Sequence, residues 1–122
     1  MSLQESGEMY LETILQLKQE NGNVRSIDVA NRMGYSKPSI SRAVHSLEAN
    51  GYVEFDQDGY IVLTDSGKAV AERTLERHSI LTALFMKLGV SPETAAEDAC
   101  RIEHVISEET FAAIKKHSGK VF

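Results

Sequence analysis

The chain has 122 residues, of which 42% are hydrophobic and 25% charged, the composition of an ordinary water-soluble globular protein. It lacks a run of about 18 apolar residues and an N-terminal secretory pattern, so neither a membrane span nor export is expected. The net charge of −5 conceals a segregation. Residues 24–51 carry Arg25, Arg32, Lys37 and Arg42 against Asp28 and Glu48, a net +2; residues 91–110 set Arg101 against six acids, a net −5. A basic stretch beside an acidic one suits a protein that meets both polyanions and divalent cations.

Apolar positions Met9, Tyr10, Ile14, Leu15 and Leu17 predict an amphipathic helix over 4–20, ended by Asn21-Gly22-Asn23. Ser26 is expected to cap a second helix, with Asp28 in its first turn and Ile27, Val29, Ala30 and Met33 buried. Gly34 closes it. Ser36 caps a third helix with Pro38 in its tolerated first turn, an inner face of Ile40, Ala43, Val44 and Leu47, and a stop at Gly51. Residues 52–56 and 60–64 are β-prone runs around Gln57-Asp58-Gly59, a strong hairpin signal. Thr64 or Asp65 opens a long helix to about Leu88, stopped by Gly89. Ser91-Pro92-Glu93 opens a helix over 92–106, and Ser107-Glu108-Glu109 opens another through Lys116. The expected fold is mainly α. A winged helix-turn-helix domain (4–70) precedes an all-helical domain (71–122).

In a helix-turn-helix, the start of the second helix meets base edges in the major groove. Here that segment supplies Ser36, Lys37, Pro38, Ser39, Ser41 and Arg42. Pro38 offers an apolar surface to a thymine methyl, and the serines can donate to bases or phosphates. Arg42 can fork onto guanine or grip a phosphate, while Lys37 suits the DNA backbone. Arg25 adds to the same basic region. Double-stranded operator DNA is the expected partner.

The second chemical signal is Cys100-Arg101-Ile102-Glu103-His104, in which Cys100, Glu103 and His104 stand at i, i+3 and i+4. On a helix those offsets share one face, so a thiolate, a carboxylate and an imidazole converge. Singly, each residue is more simply explained as buried filler, a surface charge or a hydrogen-bonded imidazole. Together they form a transition-metal donor set. The lone cysteine cannot form an internal disulfide, which fits a reducing cytoplasm and a free or metal-bound thiol. Met9 with Glu12, and His78 in Glu76-Arg77-His78-Ser79, are weaker signals on their own helices.

The Glu-Met-Tyr-Leu opening, the helix-turn-helix, the wing ending in Leu-Thr, Arg-His on the long helix and Cys-Arg-x-Glu-His together resemble the diphtheria toxin repressor family. That family includes iron-dependent repressors and manganese transport regulators. The likeness runs over roughly residues 8–116. It implies a homodimer, a helical dimerisation and metal-binding domain, and metal-activated repression of metal-uptake genes. By position, Met9, Cys100, Glu103 and His104 match the primary site of the iron branch. Glu12 and His78 match second-metal ligands of the manganese branch. Ala96 and Thr82 stand where the iron branch has an ancillary histidine and acid, so that site is expected to be absent as such. The length resembles the short family form without the C-terminal SH3-like domain. Where Met9 stands, the manganese branch has Asp.

A thioether and a thiolate favour later, softer metals over Mn²⁺. The expected cofactor is Fe²⁺, with Mn²⁺ possible and Co²⁺, Ni²⁺ or Zn²⁺ as substitutes in vitro. Metal held by both the first helix and the C-terminal domain would fix the separation of two recognition helices in a dimer. The apolar run Ile80, Leu81, Leu84, Phe85 and Leu88 and the helix over 92–106 are candidates for the dimer contact. The competing reading is a metal-independent winged-helix regulator that senses an organic ligand. An enzyme is disfavoured: the chain has no HExxH, phosphate-binding glycine loop or nucleophile elbow, and no organic substrate is expected.

Overall fold

The computed structural model describes residues 5–121, as six helices and one two-stranded sheet. The elements in chain order are α1 (Glu5–Asn21), α2 (Ser26–Met33), α3 (Lys37–Ala49), β1 (Val53–Phe55), β2 (Ile61–Leu63), α4 (Asp65–Lys87), α5 (Pro92–Ile102) and α6 (Glu108–Val121). The chain divides into two compact units, Met1–Glu72 and Arg73–Phe122, with α4 running across the division. Mainly helical architecture with an N-terminal winged helix-turn-helix is thus the observed fold. No helix among the described residues is long and apolar enough to cross a membrane.

In the first unit α1 packs on α2, α3 and β2, and α3 packs on β1. The shared core consists of Leu11, Ile14, Val24, Val29, Ile40, Val44, Val53 and Ile61, each at most 1% exposed. Full burial of such a side chain contributes roughly 1.5–3 kcal/mol, so this cluster dominates the unit's stability. β1 and β2 pair antiparallel with Val53 opposite Leu63 and Phe55 opposite Ile61. In the connecting turn Asp56 Oδ1 accepts from the amides of Asp58 and Tyr60, each at 2.9 Å. Gly59 takes φ +82, the left-handed position of a three-residue hairpin loop. The sheet edge is tied back to the helices, because the Ile61 amide donates to the Val24 carbonyl at 2.7 Å.

Where the wing meets α4, Thr64 Oγ1 accepts from the Gly67 amide at 3.1 Å and donates to the Gly51 carbonyl at 2.6 Å. One hydroxyl therefore caps α4 and ties it to the end of the recognition helix. Gly67 is required there: a Cβ at this position would lie 1.9 Å from the Tyr52 carbonyl oxygen.

Several boundaries differ from expectation. The cap of α2 is Arg25, not Ser26, because the Arg25 amide donates to Asp28 Oδ2 at 2.8 Å and Ser26 is the first helical residue. An acidic residue three places on satisfies an orphan amide as effectively as a capping serine does. Ile27 is 39% exposed and Met33 half-buried, so Val29 and Ala30 alone form the buried side of that short helix. Ser36 caps α3 as expected, its Oγ accepting from the Ser39 amide. Helix α1 covers Glu5–Asn21; Gln4, at the start of the expected span, lies outside the described residues. Helix α5 ends at Ile102 and gives way to a turn over 103–106, where the Val105 and Ile106 amides both donate to the Ile102 carbonyl. Helix α6 continues past Lys116 to Val121.

Candidate metal centre

Cys100 occupies the last turn of α5, and Glu103 is its C-cap with helical dihedrals, φ −57 and ψ −27. The helical hydrogen bond from the Glu103 amide to the Ala99 carbonyl, 2.9 Å, carries the helical path past the formal end of α5. The i, i+3, i+4 geometry therefore survives although the helix stops early. One ligand atom from each of Cys100, Glu103 and His104 lies within 4.8 Å of the others.

Glu103 is the centre of this group. The residue is 1% exposed. Its Oε2 lies 2.9 Å from His78 Nδ1, and its Oε1 lies 3.3 Å from Nε2 of His104, whose side chain is likewise buried. Oε1 receives no hydrogen bond among the described residues. A carboxylate taken out of water costs several kcal/mol unless a charge or hydrogen bonds compensate it. Two imidazoles and a thiol around a buried carboxylate form an N, O and S donor set. Such a set is one that a divalent transition ion can coordinate. The residues present therefore fit a bound metal.

Met9 and Glu12 lie one turn apart on α1 in the first unit, Met9 half-buried and Glu12 9% exposed. The Met9 carbonyl accepts from Thr13 Oγ1 at 2.9 Å. Thr82 follows His78 by one turn of α4, and Ala96 precedes Cys100 by one turn of α5, neither with an acid or imidazole to offer.

Of the residues expected to read DNA, Ser36 to Arg42 lie at the start of α3, and Arg25 stands at the N-cap of α2. Arg25, Ser36, Lys37, Pro38, Ser39 and Arg42 are exposed, and Ser41 is half-buried. Arg42 Nη2 reaches Ser39 Oγ at 3.5 Å, and Ser39 Oγ in turn accepts from the Ser36 hydroxyl at 2.8 Å. Arg25 sits 4.2 Å over the Tyr60 ring, at the start of the returning wing strand. This cation–π contact pre-orders a long basic side chain at the wing without neutralising it. Tyr60 was not among the expected site residues; an aromatic bordering the hairpin turn is the signal that could have found it.

Residues 2–61 match the family described as "Iron dependent repressor, N-terminal DNA binding domain", and residues 64–121 match "Iron dependent repressor, metal binding and dimerisation domain". The chain is 37% identical over 115 residues to the transcriptional regulator MntR of Escherichia coli, covering 91% of this chain and 74% of that protein. It is 32% identical over 108 residues to the iron-dependent repressor IdeR of Mycobacterium tuberculosis, covering 88% of this chain and 47% of IdeR. Among solved structures, a manganese-dependent transcriptional repressor in complex with manganese matches with a TM-score of 0.82 and 28% identity. That alignment covers 93% of this chain and 52% of the solved one.

Proposed function

The chain belongs to the iron-dependent repressor family, and we propose on that premise that its C-terminal unit holds a divalent transition metal on Cys100, Glu103, His104 and His78. A metal-dependent, DNA-binding transcriptional repressor is the function that the two matched domains support together. The observation that carries the ligand assignment is the buried Glu103 carboxylate, flanked by two imidazoles beside the Cys100 thiol. When bound, the metal supplies positive charge and a fixed geometry rather than a reaction. Cys100 binds as thiolate, so loading releases its proton.

Met9 and Glu12 are proposed as the contribution of α1 to the ligand set; their support is the family pattern in the sequence. With Met9 and Cys100 both offering sulfur, Fe²⁺ is the favoured metal. Mn²⁺ is the second candidate, and the likeness to a manganese-bound repressor favours it. The DNA partner is read by Ser36, Lys37, Pro38, Ser39, Ser41 and Arg42, with Arg25 at the wing. A homodimer would place two α3 helices in successive major grooves, about 34–36 Å apart, a spacing that a metal-ordered protein reaches at lower entropic cost. The target genes proposed are those of metal-ion uptake, so that loading of the site closes a homeostatic loop.

Anaerobic fluorescence anisotropy tests this reading, with a labelled DNA fragment from upstream of the protein's own operon. The fragment is titrated in chelator, in Fe²⁺ and in Mn²⁺. Metal-activated binding that is lost in His104→Ala is the expected result. Tightening at lower Fe²⁺ than Mn²⁺ assigns an iron sensor, and the reverse order a manganese sensor. Tight binding indifferent to chelator overturns the metal reading in favour of a metal-independent regulator.

A further inference from the structure

Arg77 immediately precedes His78 on α4, yet its guanidinium does not join the ligand cluster. It is buried, the residue being 8% exposed, and Nη1 donates to the carbonyl of Glu103 at 3.0 Å and to that of Ile106 at 3.1 Å. These carbonyls belong to the turn between α5 and α6; at Ile106 the Thr110 amide, four places on, donates to Ser107 Oγ at 3.1 Å. The guanidinium carbon lies 5.3 Å from the centroid of Phe111, a buried ring on α6. Ion pairs Lys115–Glu76 (2.9 Å) and Arg73–Glu108 (3.8 Å) flank this seat and join the same two helices.

The Glu103 carbonyl is part of the peptide plane that joins Glu103 to His104. Since a peptide plane is rigid, its orientation sets ψ of Glu103 and φ of His104. Those torsions decide whether the two side chains point the same way. Helix α4 thus grips Glu103 twice: Arg77 holds its carbonyl, and His78 Nδ1 lies 2.9 Å from its carboxylate. Successive residues on a helix diverge by about 100°, so adjacent side chains of one turn can take opposite sides of the same target.

We propose that Arg77, seated on Phe111, is a positioning residue for the metal centre: it locks the 103–106 turn in the one orientation that presents Glu103 and His104 together beside Cys100. This inference rests on the metal reading above. It also couples α6 to the metal, because the ring that seats Arg77 belongs to that helix. Lysine cannot replace it, since a point-like ammonium lacks the planar fork and the flat face that lies on an aromatic ring.

The test is anaerobic Co²⁺ titration of the full chain, read by its visible absorption, for wild type, Arg77→Met, Arg77→Lys, Phe111→Leu and Lys115→Ala. Hydrogen exchange of residues 103–106 is followed in the metal-free proteins. Arg77→Met and Arg77→Lys are expected to weaken Co²⁺ binding about 10- to 100-fold, as loss of an outer support does, with an altered d–d spectrum and faster exchange in the turn. Phe111→Leu should show a smaller shift of the same kind. Lys115→Ala breaks the ion pair to Glu76 that joins α4 and α6, leaves Arg77 and Phe111 in place, and should bind like wild type.

Wild-type affinity and spectrum in a folded Arg77→Met overturn the proposal. Should that variant not fold, the same result in Arg77→Lys overturns it. An equal loss in Lys115→Ala also overturns it, by assigning the effect to α6 docking in general. If wild type itself fails to bind Co²⁺, or His104→Ala binds as wild type does, the metal reading fails and this inference with it. Normal wild-type binding with unaffected Arg77 variants removes this inference alone.

Discussion

The two units are held together by different forces. In the first, the buried positions are aliphatic almost throughout, from Leu11 and Ile14 on α1 to Ile61 in the wing, and the polar residues of the recognition helix face outward. In the second, the buried hydrophobic residues are Leu81, Ala95, Ala99 and Phe111, and Thr74, Arg77 and Glu103 are buried among the polar ones. Aliphatic burial is non-directional and needs no specific charged partner. A buried carboxylate and guanidinium hold a structure only while their partners are in place. The contrast predicts that the first unit is the less sensitive of the two to loss of a single polar partner.

The most disruptive way to probe this contrast is Ile40→Ala, which removes a fully buried side chain between the exposed Ser39 and the half-buried Ser41. A loss of about 2–5 kcal/mol is expected in urea melts, equal with chelator and with metal. A metal-dependent cost would blur the division between the units. Next in size is the metal's own contribution. At a concentration of 100 times its Kd, a metal that binds only the folded state adds about 2.7 kcal/mol to wild type. In Glu103→Ala that increment should vanish, as a metal-independent melting curve would show.

On the DNA-reading surface, Arg42→Ala should cost about 1–3 kcal/mol of operator affinity and relax preference at one base pair, whereas Lys37→Ala should weaken all sequences alike and lower the salt slope by about 1. Competition against scrambled duplexes at several salt concentrations separates the two roles. The smallest effect is expected at Glu20, whose hydrogen bond from Arg32 on α2 holds its carboxyl below the usual carboxylate range. A depressed folded-state pKa gives a contribution present at neutral pH and lost as pH falls through the carboxylate range. Because the pair is fully exposed, Glu20→Gln should leave the urea midpoint at pH 7 within experimental error. A clear shift would make the first unit more dependent on charge than its core implies.

Much of the candidate site was legible because its signals are local. Ser36 and Pro38 announce the start of the recognition helix, and Asp58-Gly59 announces the wing, because caps and turns depend on a few adjacent residues. Cys100, Glu103 and His104 were readable from spacing alone, and they converge although α5 ends at Ile102. The expected helix to 106 failed because periodicity continues through a turn that keeps helical dihedrals at Glu103. Ser26 was assigned the cap that belongs to Arg25, because the reciprocal bond comes from Asp28 and not from the capping side chain.

By itself the sequence determined the winged-helix pattern, the exposed polar start of α3 and the convergence of Cys100, Glu103 and His104, since each is set by residues within a turn or two of one another. Only the tertiary structure decided what surrounds those donors. The approach of His78 to Glu103 spans 25 positions, and the bonds from Arg77 to the Glu103 and Ile106 carbonyls span 26 and 29. Such pairs have no local signature: they exist only in the packed unit that buries Leu81, Ala95 and Phe111, where α4 brings an imidazole and a guanidinium to the end of α5.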